Sequence, residues 1–260
     1  MIKNFFKGIF IGITDTIPGI SGATIALITG IYEKIVKELK KIISIKSVKD
    51  FLKLDFLFLF TVGLGLLAGL ISMIFFLDFA LLRYPQRIYG FFLGVILGSS
   101  FLLLRQEHKK NHQKWVFLGV LTGLIITSLS VKLTYSPTAL FISGFLATTA
   151  MLLPGISGSY VLLILGQYER VVHIARNALD NLGELFLLVL GAFVALVSLI
   201  STISYLINNY RSQTFLFLIG LMLGGLIMVA SIAFSYGQIF QTTAFAVIGI
   251  IISVLLYLFR

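Results

Sequence analysis

The chain has no cysteine, which excludes disulfides, thiolate nucleophiles and cysteine-ligated metals. Charge is scarce as well: only 12% of the residues are Asp, Glu, Lys or Arg. The three histidines, His108, His112 and His173, fall in stretches read as loops. None has an acidic partner within an apolar segment, so neither a metal site nor a phosphatase-type acid–base pair is expected, and no cofactor is implied. No small-residue cleavage site closes the apolar run behind Lys3 and Lys7, so that segment is read as retained. What fills the chain is apolar: 58% hydrophobic residues and a mean hydropathy of +1.06. A soluble domain could not hide that much apolar surface, and the class is an all-α polytopic membrane protein with lipid as its solvent.

The formal charge of +10 could point to nucleic acid. The Lys and Arg residues, however, sit in short loops between apolar runs, which fits membrane topology and anionic lipid headgroups instead. Membrane lipids are thus partners and nucleic acid is not.

Proline is rare, with four residues in all, and two of them share a motif. Pro18-Gly19-Ile20-Ser21-Gly22 returns unchanged as Pro154-Gly155-Ile156-Ser157-Gly158. Each copy interrupts an apolar segment, and each segment ends in Gly-x-Tyr-Glu plus a basic residue: Gly30 to Lys34 and Gly166 to Arg170. A helix rising 1.5 Å per residue needs roughly 20 residues to cross a bilayer core. The broken segments, residues 5–32 and 139–168, are overlong for one crossing and too short for two. Each is read as a re-entrant helical hairpin. A basic stretch, residues 33–55, is read as a loop, and full spans follow near 54–77, 88–104 and 115–131. After the second hairpin come spans near 182–207, 214–234 and 243–259.

The likeness of the halves extends past the motif. Gly8 matches Gly144, Gly30 matches Gly166 and Tyr32 matches Tyr168 at one offset. After a shorter second loop, Gly65 pairs with Gly191, Ser72 with Ser198, Gly94 with Gly220 and Gly123 with Gly249. The domain reading is two repeats, residues 1–135 and 136–260, each a hairpin plus three spans. Three is odd, so the second repeat enters from the opposite face, the inverted arrangement of many alternating-access carriers. With both hairpins re-entrant and the N-terminus inside, fifteen Lys and Arg residues lie inside and five outside. Single crossings in place of hairpins reach only thirteen against seven, so the positive-inside rule favours re-entry and puts both termini in the cytoplasm.

A hairpin tip near mid-membrane leaves backbone groups in need of partners. Pro18 and Pro154 suit the first turn of an outgoing helix, because the N–H they lack would be orphaned there. Gly19, Gly22, Gly155 and Gly158 admit a close ligand or backbone. Ser21, Thr24, Ser157 and Ser159 add hydroxyls, and the exposed amides and positive dipole end favour an anion. Two tips meeting at the midplane would cradle a phosphate or similar group; simple kinks with tight packing are the plainer reading. Asp15 precedes the first motif and has Met151 as its counterpart. It is read either as a proton- or cation-coupling residue or as a helix cap. Glu33, Glu169 and Arg170 are read as interfacial anchors rather than ligands, and Arg83 and Arg87 as solvated loop charges that could meet a headgroup. The Gly-x3-Gly spacings, as at Gly90, Gly94 and Gly98, imply close helix packing, and the Phe-rich runs face lipid.

The stretch from Gly12 to Thr24, closing with Gly30-Ile31-Tyr32-Glu33, resembles the signature of the bacterial polyprenyl-phosphate transporter family. So does Leu153 to Tyr160, closing with Gly166-Gln167-Tyr168, and the segment from Tyr84-Pro85 to Gly98-Ser99 looks like that family's third stretch. Ala23 departs from it, standing where a glycine is expected and stiffening the first tip. The resemblance covers essentially the whole chain. It implies a protein of the bacterial cytoplasmic membrane that returns undecaprenyl phosphate, the lipid carrier of cell-wall polymers, from the outer leaflet to the inner. On this expectation the tips bind the phosphate while the prenyl chain stays largely in lipid. From the residues alone, a carrier or channel for a small anion stays open, as does an intramembrane lipid-phosphate enzyme. The sequence also leaves the oligomeric state open.

Overall fold

The computed structural model describes residues 1–15, 20–107, 113–129 and 131–258. Pro18 and Gly19 of the first motif, and His108 and His112, therefore lie outside the described residues. The order is α1 (Ile2–Asp15), α2 (Gly22–Ile28), α3 (Tyr32–Ile43), α4 (Val48–Phe51), α5 (Phe56–Arg83), α6 (Pro85–Glu107) and α7 (Gln113–Ser128). It continues with α8 (Pro137–Leu152), α9 (Gly158–Ile164), α10 (Tyr168–Arg176), α11 (Leu182–Ser235) and α12 (Ile239–Leu258). Among the described residues three helices, α5, α6 and α11, are long and apolar enough to cross a membrane, and α7, α8 and α12 are shorter apolar helices.

One expectation needs correction. The basic stretch 33–55 is not a plain loop: α3 and α4 occupy most of it. Tyr32 and Val36 of α3 are buried, with Ile35, Leu39 and Ile43 packed beside them, while Lys34 and Lys37 are exposed and Lys40 donates to Ser201 Oγ of α11 at 2.8 Å. Apolar residues at helical spacing within a lysine-rich stretch are the mark of an amphipathic helix, and α10, which carries His173, is its shorter counterpart. The spans read at 182–207 and 214–234 are the two arms of α11, separated by a kink at Tyr210, whose backbone (φ −135, ψ 44) leaves helical geometry.

Glycines set the packing. In lipid, helices associate by close approach of backbones across small residues. A Cβ at Gly8 would strike the carbonyl of Val62, and one at Gly65 the carbonyl of Phe5, so α1 and α5 lie backbone to backbone. In the second half Gly144 meets Leu188 and Gly191 meets Phe141 in the same way, joining α8 to the first arm of α11. The remaining helices pair across the halves. Gly90 and Gly94 of α6 abut Thr242 and Ala246 of α12, and Gly119 of α7 abuts Phe217 in the second arm of α11. The core gathers between α6 and that second arm, where Leu93, Val95, Ile96, Leu218, Ile219 and Met222 are buried. Phe60, Phe101, Phe117, Phe186 and Phe193 instead stand exposed on the outer surface, as lipid-facing side chains should.

The short helices α2 and α9 end alike. The amide of Ile31 donates to Ala26 O and that of Gly30 to Leu27 O; Gln167 and Gly166 repeat this toward Leu162 and Leu163. Both are Schellman turns, which need a left-handed residue after the helix. Gly30 (φ 76) and Gly166 (φ 67) supply it, which explains the glycine in both Gly-x-Tyr-Glu endings.

Candidate functional site

Ser21 and Ser157 occupy the position before α2 and α9 with extended backbones, and neither side chain caps its own helix. The two motifs meet in space. The amide of Gly155 donates to Thr24 Oγ1 at 2.8 Å, and the Tyr32 hydroxyl donates to Leu152 O at 2.9 Å. Ser21 Oγ lies 3.5 Å from Leu153 O, at the long end of a hydrogen bond. Gly155 (φ 94) turns the chain here and presses on the second arm of α11: a Cβ would lie 2.5 Å from Met222 N. Any other residue would be strained by that φ and blocked by that backbone.

Chemically the tips differ. The carboxylate of Asp15 turns back to accept from the Gly22 amide at 2.6 Å, filling the cap position at the start of α2. At the start of α9 the matching neighbour is the side chain of Met151, its Cγ 2.5 Å and its sulfur 3.1 Å from where a Cβ on Gly158 would stand. Ser157 and Ser159 hydroxyls sit 2.8 Å apart beside it. Surroundings differ too. Every residue of α2 from Gly22 to Ile28 is buried, whereas in α9 only Gly158 is.

The structure brings Ser21, Gly22, Thr24, Gly155, Ser157, Gly158 and Ser159 to one region, with Pro154 in the turn between α8 and α9 and Asp15 at its edge. The outlying candidates do not join them. Glu33 opens α3 and pairs with Arg211 at 3.3 Å; Arg211 also holds Glu107 at 2.9 Å. Arg170 pairs with Glu184 and the Tyr135 hydroxyl, and Glu169 is exposed in the first turn of α10. Arg83 ends α5. Arg87 is not in a loop: it lies in α6, donates to Gln241 at 2.9 Å and covers the Tyr84 ring.

Sequence reading missed several partners. Arg211 entered it only as a loop charge, yet it ties the starts of α3 and the end of α6 to the bend of α11. Tyr32, matched with Tyr168 in the repeat, reaches across to the second motif. Gln86 joins Gln238 at 2.8 Å and Gln241 at 3.2 Å between α6 and α12.

With the geometry established, comparison with known proteins is informative. Residues 11–256 match the family described as undecaprenyl phosphate translocase-like. The chain belongs to that family. A polyprenyl-phosphate transporter of Vibrio cholerae serotype O1 is 34% identical over 237 residues, which are 86% of this chain and 76% of that protein. A polyprenyl-phosphate transporter of Staphylococcus aureus is 31% identical over 245 residues, 87% of this chain and 85% of its own. These relatives are named for transport rather than catalysis. No solved structure matches the chain.

Proposed function

We propose that this protein moves undecaprenyl phosphate across the bacterial cytoplasmic membrane, returning the lipid carrier used in cell-wall polymer synthesis to the inner leaflet. Family membership supports the substrate. The observation that carries the site is the meeting of the two motif tips, in which Thr24 Oγ1 accepts the Gly155 amide. The hydroxyls of Ser21, Thr24, Ser157 and Ser159 at the two tips form the phosphate cradle. Gly22 and Gly158 let the headgroup approach.

The two halves act as inverted repeats, residues 1–135 and 136–260, each a re-entrant hairpin with three spans. This reading is supported by glycine contacts that recur between them, Gly8 on Val62 and Gly144 on Leu188, and by the paired Schellman turns. With both termini cytoplasmic, the first hairpin enters from inside and the second from outside. Rocking of the halves exposes the tips to each face in turn. Asp15 gates the cycle: its carboxylate holds the α2 start until an incoming phosphate, or a proton or cation, releases it.

The test is direct binding to purified protein of undecaprenyl phosphate, undecaprenyl diphosphate and inorganic phosphate, followed by transbilayer movement of the lipid in proteoliposomes. Binding and movement of the lipid monophosphate are expected. Flux of inorganic phosphate without lipid movement would replace the flippase with a small-anion carrier.

A further inference from the structure

Beside the second tip lies an apolar groove of about 330 Å³ between the end of α7, α8 and α9. Ile142, Leu146 and Thr149 of α8 form one wall, Val161 and Ile164 of α9 the other, and Leu153 and Ile156 the inner end. Ile142 and Leu146 are 40% and 37% exposed on the surface that faces lipid, whereas Ile156 is only 3% exposed. The groove thus runs from the lipid-facing surface inward to the residues that flank Pro154 and Gly155.

We infer that this groove seats the head-proximal isoprene units of the substrate, the remainder of the chain trailing into lipid. The inference rests on the function proposed above and adds a second, chain-specific part to the site. Its occupant follows from continuity and from polarity. A chain lying in the groove ends at the Pro154 tip, where the hydroxyls of Ser157 and Ser159 stand. Thr149 provides the one polar side chain among the described lining residues, and its buried hydroxyl has no hydrogen-bond partner among them. A prenyl monophosphate has its hydrocarbon joined directly to the phosphate ester oxygen, so apolar carbon begins one bond from the head. A glycerophospholipid would carry two ester groups and a glycerol into a wall whose one polar side chain, Thr149, could meet only one of them, at a cost for each group left unpaired.

Among the described residues, the first hairpin shows no such seat. Ile25 and Ile28, which match Val161 and Ile164 in the repeat, are 4% and 2% exposed. Among the described residues, the chain seat thus lies on the second hairpin, the one that the proposed topology enters from the outer face.

The experiment compares the full-length protein with Leu146→Trp and Ile142→Trp, each filling the groove with an indole, and with Ile125→Trp as a lipid-facing control outside it. Binding of undecaprenyl phosphate and of a short ligand without isoprene, methyl phosphate, is measured on samples matched for thermal stability, with phosphatidic acid as competitor. Either groove variant is expected to weaken the long-chain ligand about tenfold, the worth of burying one or two apolar units, while the short ligand and the control are unchanged. Unchanged long-chain binding in both groove variants, equal loss of both ligands, or equal competition by phosphatidic acid overturns the assignment. Wild-type protein that binds no undecaprenyl phosphate overturns the functional reading itself, and the groove with it.

Discussion

Asp15 and Gly22 are joined by a 2.6 Å hydrogen bond from amide to carboxylate, and this single contact makes the two otherwise matching tips chemically unequal. One helix start already holds an anion of the chain's own; the other faces Met151. A carboxylate at that place in both halves would leave no vacant position for a phosphate.

Met151→Asp is accordingly expected to abolish undecaprenyl phosphate binding by placing a second carboxylate at the start of α9, over Gly158. Asp15→Asn, which keeps the size but loses the charge, should cost about 1 kcal/mol of stability as a weakened cap. Isothermal binding and thermal unfolding of the two variants separate these effects. If Met151→Asp binds the lipid normally, the phosphate does not sit at the second tip.

Thr24 is buried and its hydroxyl satisfies the Gly155 amide across the two halves. Thr24→Val should leave that amide unpaired, at about 1–3 kcal/mol, and loosen the junction of the tips. Thr24→Ser, which keeps the acceptor, is expected to retain most of the stability and the binding. Chemical denaturation of both variants in detergent provides the comparison.

The glycine contacts predict opposite signs at different sites. Gly94→Ala drives a methyl into the backbone of Ala246 and should destabilise by about 1–3 kcal/mol through forced separation of α6 and α12. Gly63→Ala, in α5 with open space where its Cβ would stand, should be neutral or stabilise by up to about 1 kcal/mol through helix propensity. Thermal unfolding midpoints distinguish the two.

A pH dependence follows from Glu38, buried between α3 and the start of α5. Burial pushes its carboxyl up, but the Asp55 amide at 3.0 Å and the Lys41 ammonium at 2.6 Å outweigh it and hold the group below the usual Glu range. A depressed folded-state value means that the contribution is complete above the ordinary Glu range and fades as pH falls through the lowered one. Glu38→Gln should therefore be less stable than wild type at neutral pH, by about 1–2 kcal/mol, with the gap narrowing on acidification. A gap that widens toward low pH would contradict the assignment of a charged Glu38.

Much of this was legible from residue order. Apolar runs of span length located α5, α6, α7 and α12, and the Pro-Gly breaks anticipated the ends of α8 and the start of α9. Lysines obscured α3, because an amphipathic helix lying beside a bundle has no long apolar run to reveal it. Asn208, Asn209 and Arg211, read as a break between two spans, flank Tyr210, where the backbone leaves helical geometry and divides α11 into its two arms.

The sequence by itself determined the class, the two matching halves, the helix breaks and the glycine turns that close α2 and α9. These depend on composition and on preferences that act within a turn or two of helix. Only the tertiary structure decided that Thr24 meets Gly155, that α6 packs on α12, that Asp15 folds back to Gly22, and that α9 opens on a groove while α2 is enclosed. Two nearly identical motifs carry nearly identical local instructions. Their difference arises from what each packs against, and those partners lie far away along the chain.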